Sequence, residues 1–168
     1  VHGLTQGAQP VLSYNYGAGK YRRVRKGIVF MTVSCFAFTS LVWLVTITKP
    51  ALFIHLFNSD EQLVTLGAPA LTLFFQGFFM MSFQFSGQAV YVALNRPRSA
   101  VFFSLLRKAV IVVPLTLALP HFFGLGVNGV FLAEPISNYI GGAACYITLL
   151  LTVWRDLKKA DAAPETAK

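Results

Sequence analysis

Charged side chains are scarce in this sequence. Lys, Arg, Asp and Glu make up 12% of its 168 residues, whereas 55% of the residues are hydrophobic and the mean hydropathy is +0.62. A soluble domain carries roughly 25% charged residues, so these charges are too few to cover a soluble fold of this size. The sequence therefore predicts a protein whose main solvent is lipid.

Residues that carry catalytic or metal chemistry are also few. The two cysteines, Cys35 and Cys145, both lie in apolar runs, and no CxxC motif or Cys/His cluster accompanies them. The sequence shows no Ser/His/Asp set, catalytic carboxylate pair or phosphate-binding loop. We therefore expect no enzymatic activity, no cofactor and no metal site.

Long charge-free runs are what the sequence has instead. A membrane-spanning helix needs about 20 mostly apolar residues, and four runs are long enough to hold one each. None alternates with the period of two that marks a barrel strand. The predicted fold class is an all-α polytopic membrane protein with four complete transmembrane helices and the end of a fifth. The predicted spans are 26–48, 63–93, 101–121 and 130–154.

The remaining segments are shorter. Residues 1–19 are predicted to be the end of a transmembrane helix and the start of an inner loop, 20–159 the helical lobe, and 160–168 a disordered tail. Arg107 and Lys108 fall inside the third span, so they must snorkel to the interface or face protein. The first 26 residues lack an initial Met and show no helix cap, which leads us to expect that the chain begins partway through a larger protein.

The basic residues indicate the orientation. Of fourteen Lys and Arg, five precede the first complete span, four lie between the second and third spans or just inside the third, four follow the fourth, and only Lys49 lies in an opposite loop. The positive-inside rule then predicts a multi-pass protein of the plasma (inner) membrane with its C-terminus in the cytoplasm. Since these residues border apolar runs rather than forming a stripe on a folded domain, we expect no nucleic-acid partner.

Two segments place polar side chains within apolar helices. Polar residues recur at helical spacing in 3–16, where Gly3 and Gly7 also form a GxxxG pair, and at intervals of four in 63–93. Amides at mid-membrane are costly against lipid, so these faces should meet protein or water. Helix packing and a cavity for greasy, aromatic or cationic molecules both remain open. The candidate cavity residues are Gln6, Gln9, Ser13, Gln76, Met80, Gln84 and Gln88.

Glu134 is the one acid near a predicted span apart from the acids that follow the fourth span and the pair Asp60 and Glu61, which we assign to the capped start of the second span. An ionisable residue in a span is a candidate functional group. Because Glu134 is predicted to lie within about a turn of the outer loop, we expect an exposed or interfacial carboxylate. Proton or cation coupling is the alternative role.

Three strings in the sequence resemble one family. GLTQGAQPVLSYNYGAGKYRRVRK is similar to the end of the eighth helix and the following cytoplasmic loop of the multidrug and toxic compound extrusion (MATE) transporters. AVYVALNRPRSA resembles the end of their tenth helix and its inward loop, and GLGVNGVFLAEPIS the outer loop and start of their twelfth helix. The resemblance implies that this chain covers the end of helix eight through helix twelve of a two-lobe, twelve-helix protein.

The resemblance also implies a function. Such transporters export organic, often cationic, drugs in exchange for protons or sodium, so the implied partners are organic cations, H⁺ or Na⁺, the bilayer and the N-terminal lobe of the same protein. Relatives that bind cations in the C-terminal lobe use acids in helices seven and ten. Since run 63–93 has no acid, coupling is expected upstream of Val1 or, less favoured, at Glu134.

Two alternatives remain. One is a flippase of related fold for lipid-linked polysaccharides or lipids. It is disfavoured because we expect no basic residue in the middles of the spans, where a pyrophosphate would have to be bound. The other is a free-standing four-helix membrane subunit with a structural role, disfavoured by the missing start signal.

Overall fold

The computed structural model of the chain describes residues 1–50, 54, 61–122 and 126–162, and in these ranges the secondary structure is entirely helical. A 3₁₀ turn, Phe78–Met80, precedes the fourth helix, and two π-helical segments join later ones. The helices are α1 His2–Gly17, α2 Tyr21–Thr48, α3 Glu61–Phe75, α4 Met81–Ala93, α5 Pro97–Leu105, α6 Val113–Phe122, α7 Val127–Leu149 and α8 Arg155–Ala162.

Three continuous helical rods are long and apolar enough to cross a membrane: Tyr21–Thr48, Pro97–His121 and Val127–Ala162. They contain the predicted spans 26–48, 101–121 and 130–154. Within the second rod the π-helical segment Leu106–Val112 joins α5 to α6, and within the third Leu150–Trp154 joins α7 to α8. Pro114 follows the first π segment, and because proline has no N–H the regular hydrogen-bond ladder is already interrupted at that point.

The third rod continues further than predicted. Helix α8 ends at Ala162, so the first residues of the tail predicted to be disordered are helical, and 163–168 lie outside the described residues. Leu157 is buried in the core, and ion pairs join Arg25 to Asp161 and Arg96 to Asp156. These contacts hold the extra turns of helix against the bundle.

The prediction of one continuous helix over 63–93 is wrong. The chain turns at Gln76 and Gly77 between α3 and α4, where the backbone packs against α7. A Cβ added to Gly77 would lie 3.0 Å from the carbonyl oxygen of Pro135, and one added to Gly142 would lie 2.7 Å from that of Met80. Small residues let membrane helices approach to this distance. Here they let the break between α3 and α4 pack directly on the backbone of α7.

The core lies where α1, α2, α4 and the third rod meet. Its fully buried members include Leu12, Ile28, Met31, Val90 and Leu149. Helix α1 runs parallel to α4, as two contacts show. Near the start of both helices the ring of His2 packs edge-on to Phe85 at 4.5 Å, and near their ends the Ser13 hydroxyl donates to the Ala93 carbonyl at 2.8 Å. Large apolar side chains also cover the outer faces, as expected for helices that contact lipid.

Candidate functional site

Arg107 is the centre of a buried charge cluster that joins the second and third rods. It lies ten residues after Pro97 and fourteen before His121, near the middle of its rod, and is only 5% exposed. One guanidinium nitrogen, Nη1, donates to Glu134 Oε1 at 3.0 Å and to Asn138 Oδ1 at 2.5 Å. Glu134 and Asn138 are four residues apart on α7 and so share a face.

Lys108 adds a second cation to this cluster. Its Nζ donates to both carboxylate oxygens of Glu134, at 3.2 and 3.4 Å. The Lys108 side chain is 57% exposed, whereas that of Glu134 is 16% exposed. Two cations therefore surround one carboxylate, and the cluster carries a net charge of +1 within apolar helices.

These contacts correct one expectation and confirm another. Glu134 was expected to be exposed or interfacial. It is not exposed, because it lies about two turns into α7 and its side chain is mostly covered, whereas an interfacial depth stays a prediction. Glu134 is drawn into the bundle because Arg107 reaches it from the neighbouring rod. Arg107 and Lys108 were expected to snorkel or face protein, and Arg107 does face protein.

Gln84 on α4 closes the cluster from a third side. The side chain is 2% exposed, and its Nε2 donates to the Phe103 carbonyl at 3.3 Å. A Cβ added to Gly141 would lie 3.0 Å from both Gln84 Oε1 and Arg107 Cγ, so a larger residue there would crowd both side chains. Among the described residues, Gln84 Oε1 and Arg107 Nε are buried without a hydrogen-bond partner, which leaves one acceptor and one donor unpaired beside Gly141.

Within the described ranges, the other candidates in 63–93 form no hydrogen bond with this cluster. Gln76 is exposed at the helix break, where the Tyr139 hydroxyl donates to its backbone carbonyl at 3.4 Å. Met80 is half-buried in the 3₁₀ turn, and Gln88 is half-buried on α4. Because the break interrupts the helical register, these side chains and Gln84 do not form the single stripe that spacing by four suggested. Whether they line a cavity stays a prediction.

The candidates on α1 are less enclosed. Gln6 is exposed, Gln9 is half-buried, and the Ser13 hydroxyl is engaged with α4. A Cβ added to Gly3 or Gly7 would meet no described atom within 4 Å. The GxxxG face is therefore open in this part of the structure, and no described helix packs on it.

Asn138 was not identified from the sequence, and neither was the pairing of Arg107 with Glu134. A usable signal was present: apart from Lys26 at the start of the first span, the only charges inside the predicted spans were one basic pair and one acid. Opposite charges in separate membrane helices are expected to pair. The register of the two rods, which decides the partners, could not be obtained from spacing alone.

Comparison with known proteins places these helices in a family. Residues 1–118 match the family model described as MatE. The chain is 25% identical over 146 residues to the FAD transporter of Shewanella oneidensis, a match that covers 87% of this chain and 32% of that protein.

The fold is similar to that of solved transporters. A ligand complex of the MATE multidrug transporter DinF-BH superposes with a TM-score of 0.83 at 28% identity, covering 93% of this chain and 34% of that one. An inward-facing multidrug resistance MATE transporter of the MOP superfamily gives 0.84 at 16% identity, covering 94% and 36%, and shows the fold alone. The chain thus spans about a third of the length of these relatives, and it belongs to the MatE family of membrane transporters.

Proposed function

We propose that this chain is the C-terminal part of a secondary antiporter that exports organic, often cationic, compounds in exchange for protons or sodium. The observation that carries the proposal is the helix break at residues 76–80, seated on α7 beside a buried charge cluster. Transporters of this kind place substrate and ion sites at discontinuous helices near the bilayer midplane. Membership of the MatE family and the likeness to a multidrug transporter support the same function.

The proposal requires a partner lobe. Alternating access works by rocking one repeat against another around a shared site, and these helices supply one side only. The open face of α1, with Gly3, Gln6 and Gly7, is where we place contact with the N-terminal lobe or the cavity between the lobes.

Within this proposal the accessible polar residues contact the substrate. Gln76 is exposed and Gln88 is half-buried, so their amides can reach a ligand. Gln84 is enclosed by α5 and α7, and we assign it to holding the cluster rather than to direct binding. Gln6 and Gln9 complete the wall from α1, with Met80 as an adaptable apolar contact.

The experiment is transport of a cationic dye by the full-length protein in energised vesicles. We expect Gln76→Ala with Gln88→Ala to raise the KM at least several-fold and to change the ranking of several dyes. Ser104→Ala, an exposed polar position on α5, is the control and should change neither. Unaltered KM values and ranking in the double variant would remove these residues from the cavity.

Glu134 has a limited place in ion coupling. Its oxygens are engaged by Arg107 and Lys108, so an ion binding there must displace both. We therefore propose that the coupling site lies elsewhere in the full protein. Glu134→Gln should retain gradient-dependent transport in the molecules that reach the membrane, and loss of that dependence at normal membrane levels would assign coupling to Glu134.

An anionic cargo is a second candidate. The relative from Shewanella oneidensis is named a FAD transporter, and the cluster here holds two cations against one carboxylate with Lys108 exposed. A dinucleotide phosphate can meet such a lysine. Competition of FAD with the cationic dye, weakened by Lys108→Gln, would favour this cargo, whereas dye transport unaffected by FAD would exclude it.

The flippase alternative must also be weighed again. It was disfavoured because mid-span basic residues were thought absent, and Arg107 does lie near the middle of a rod. Since Arg107 is buried and its Nη1 is already engaged by Glu134 and Asn138, that residue does not offer an open pyrophosphate site. Drug export therefore remains the function that we propose.

A further inference from the structure

A groove of about 550 Å³ lies on the outside of the bundle where α2 approaches the end of the third rod. Its lower wall is apolar and is made by Val29, Phe30 and Val33 of α2, of which Phe30 and Val33 are prominently exposed. Trp154 closes the groove from the third rod. The groove is therefore bordered by exposed apolar side chains of the kind that can contact lipid.

The upper rim of the groove is basic. Arg22, Arg25 and Lys26 line it, and Arg22 and Lys26 are one helical turn apart on α2. Arg25 is paired with Asp161 and its guanidinium lies 6.0 Å from the centre of the Trp154 ring. Within the described residues Arg22 and Lys26 form no salt bridge, so two positive charges are left at the rim.

Charge and apolar surface follow one face of a single helix. Positions 22, 26, 29, 30 and 33 repeat at the spacing that puts residues on one side of an α-helix. The order along this face is basic first and apolar after, from the end of the bundle toward its middle. A phospholipid has the same order, with an anionic phosphate at the surface and acyl chains below.

We propose that this groove binds one anionic phospholipid of the leaflet at the basic end of the bundle, which we assign to the cytoplasmic side. Arg22 and Lys26 hold the phosphate, one acyl chain lies along Val29, Phe30 and Val33, and the Trp154 indole sits at the interface. Basic pockets between membrane helices recognise anionic headgroups in this way, and interfacial tryptophan anchors the boundary.

The bound lipid links α2 to the third rod. Both contribute to the groove, and at this end the described contacts between them include a single ion pair, Arg25 with Asp161. A lipid that touches both elements stabilises their packing through binding to the folded state alone. This role does not depend on which compound is transported, so it stands or falls separately from the proposed function.

The test uses the full-length transporter in detergent, titrated with phosphatidylglycerol or phosphatidylcholine and followed by native mass spectrometry and thermal unfolding. We expect one phosphatidylglycerol to be retained and to raise the Tm, with phosphatidylcholine much weaker. Arg22→Gln with Lys26→Gln should weaken retention about tenfold or more, as removal of two basic groups at an anionic surface predicts.

The matched control is Lys20→Gln with Arg23→Gln. It removes the same charge from the same region, and neither residue lines the groove. An equal loss in this control would show unspecific attraction to the basic end and overturn the proposal. Equal binding of phosphatidylcholine, or no phosphatidylglycerol bound by the unaltered protein, would overturn it as well.

A second variant tests the apolar part without changing charge. Val33→Trp fills the groove, and we expect it to lower phosphatidylglycerol retention and the lipid-induced rise in Tm. Leu41→Trp is the control, since Leu41 is similarly exposed on the same helix but outside the groove. Retention unaltered by Val33→Trp would show that the lipid, if bound, lies elsewhere.

Discussion

Arg107 shows how much one side chain can constrain a membrane bundle. A buried guanidinium is costly unless its donors are paired, and here a carboxylate and an amide from α7 meet the same nitrogen. The Nε on the same group has no partner within the part of the chain that the structure describes, so the site is only partly satisfied there. Such a site is more sensitive to the loss of a partner than to replacement of the whole pair by apolar groups.

The first prediction concerns this asymmetry. Glu134→Leu leaves the buried Arg107 guanidinium without its carboxylate partner. We therefore expect the free energy of unfolding to fall by about 3–5 kcal/mol. Arg107→Met together with Glu134→Leu removes both charges and should be much less destabilising than Glu134→Leu alone. Thermal unfolding of the full-length protein, analysed as a double-mutant cycle, measures the coupling.

Lys108 serves as the comparison for that cycle. Its side chain is largely exposed, so Lys108→Met should cost well under half of the loss seen for Arg107→Met. Equal losses at the two positions would mean that burial does not set the energy of this cluster.

The participants in the cluster could be predicted from the sequence more readily than their geometry. Charges inside otherwise apolar runs singled out Arg107, Lys108 and Glu134, although only the two basic residues were expected to snorkel or face protein. Asn138 and Gln84 could not be placed with them, because that requires the relative height of three helices. Such heights are set by close contacts like that of Gly141 with Arg107 and Gln84, which leave no periodic trace in the sequence.

At the scale of elements, the break between α3 and α4 is the feature that most changes the predicted fold. It contains neither proline nor charge, only Gln76, Gly77 and three large apolar residues. A segment without proline or charge predicts a continuous membrane helix. The break is stabilised from outside, by α7 backbone that approaches through Gly77 and Gly142.

The second prediction tests that close approach. Gly142→Ala places a methyl group 2.7 Å from the Met80 carbonyl oxygen, where backbone rather than a flexible side chain must move. We expect a loss of about 1–3 kcal/mol, as for overpacked cores, read as a lower Tm of the full-length protein. Because the break is part of the proposed site, the maximal transport rate should fall too.

Gly17→Ala is the matched control for this substitution. A Cβ at Gly17 meets no described atom within 4 Å, so the same added methyl group should leave the Tm nearly unaltered. A Gly142→Ala protein as stable as the Gly17→Ala protein would show that α7 can move away from the break without cost.

The rods themselves followed from the sequence. Long, mostly apolar runs predicted the spans within Tyr21–Thr48, Pro97–His121 and Val127–Ala162, because a helix in lipid satisfies its own backbone hydrogen bonds. The ends of the rods were harder to predict from the sequence. Helix α2 begins at Tyr21 within the basic cluster and α8 continues to Ala162, where ion pairs between rods extend helices beyond the apolar runs.

At the scale of the whole molecule, the basic ends of three elements are brought together. Arg25 of α2 meets Asp161 of α8, and Arg96 at the start of α5 meets Asp156. We assign this shared end to the cytoplasmic side of the membrane, since basic residues concentrate on that side of membrane proteins.

The third prediction tests this orientation by cysteine labelling in whole cells. Ala162→Cys should react only after a membrane-permeant reagent is used, whereas Asn128→Cys should react with an impermeant one. Both positions are exposed, and the native Cys35 and Cys145 are buried, so background labelling is low. The reverse pattern would invert the topology and would place the phospholipid of the groove in the outer leaflet.

The π-helical segment Leu106–Val112 has a consequence for how this chain tolerates insertions and deletions. A π turn holds one residue more than an α turn. Arg107, near the start of the segment, faces Glu134, and Leu119, beyond its end, packs on Gly129. If this stretch became regular α-helix at its present length, one contact would rotate by about 100° relative to the other, whereas deleting one residue would restore regular helix and keep the two contacts in phase. The π turn thus accommodates one extra residue while the two contacts stay in phase, so this short stretch should tolerate the loss of one residue better than the gain of one.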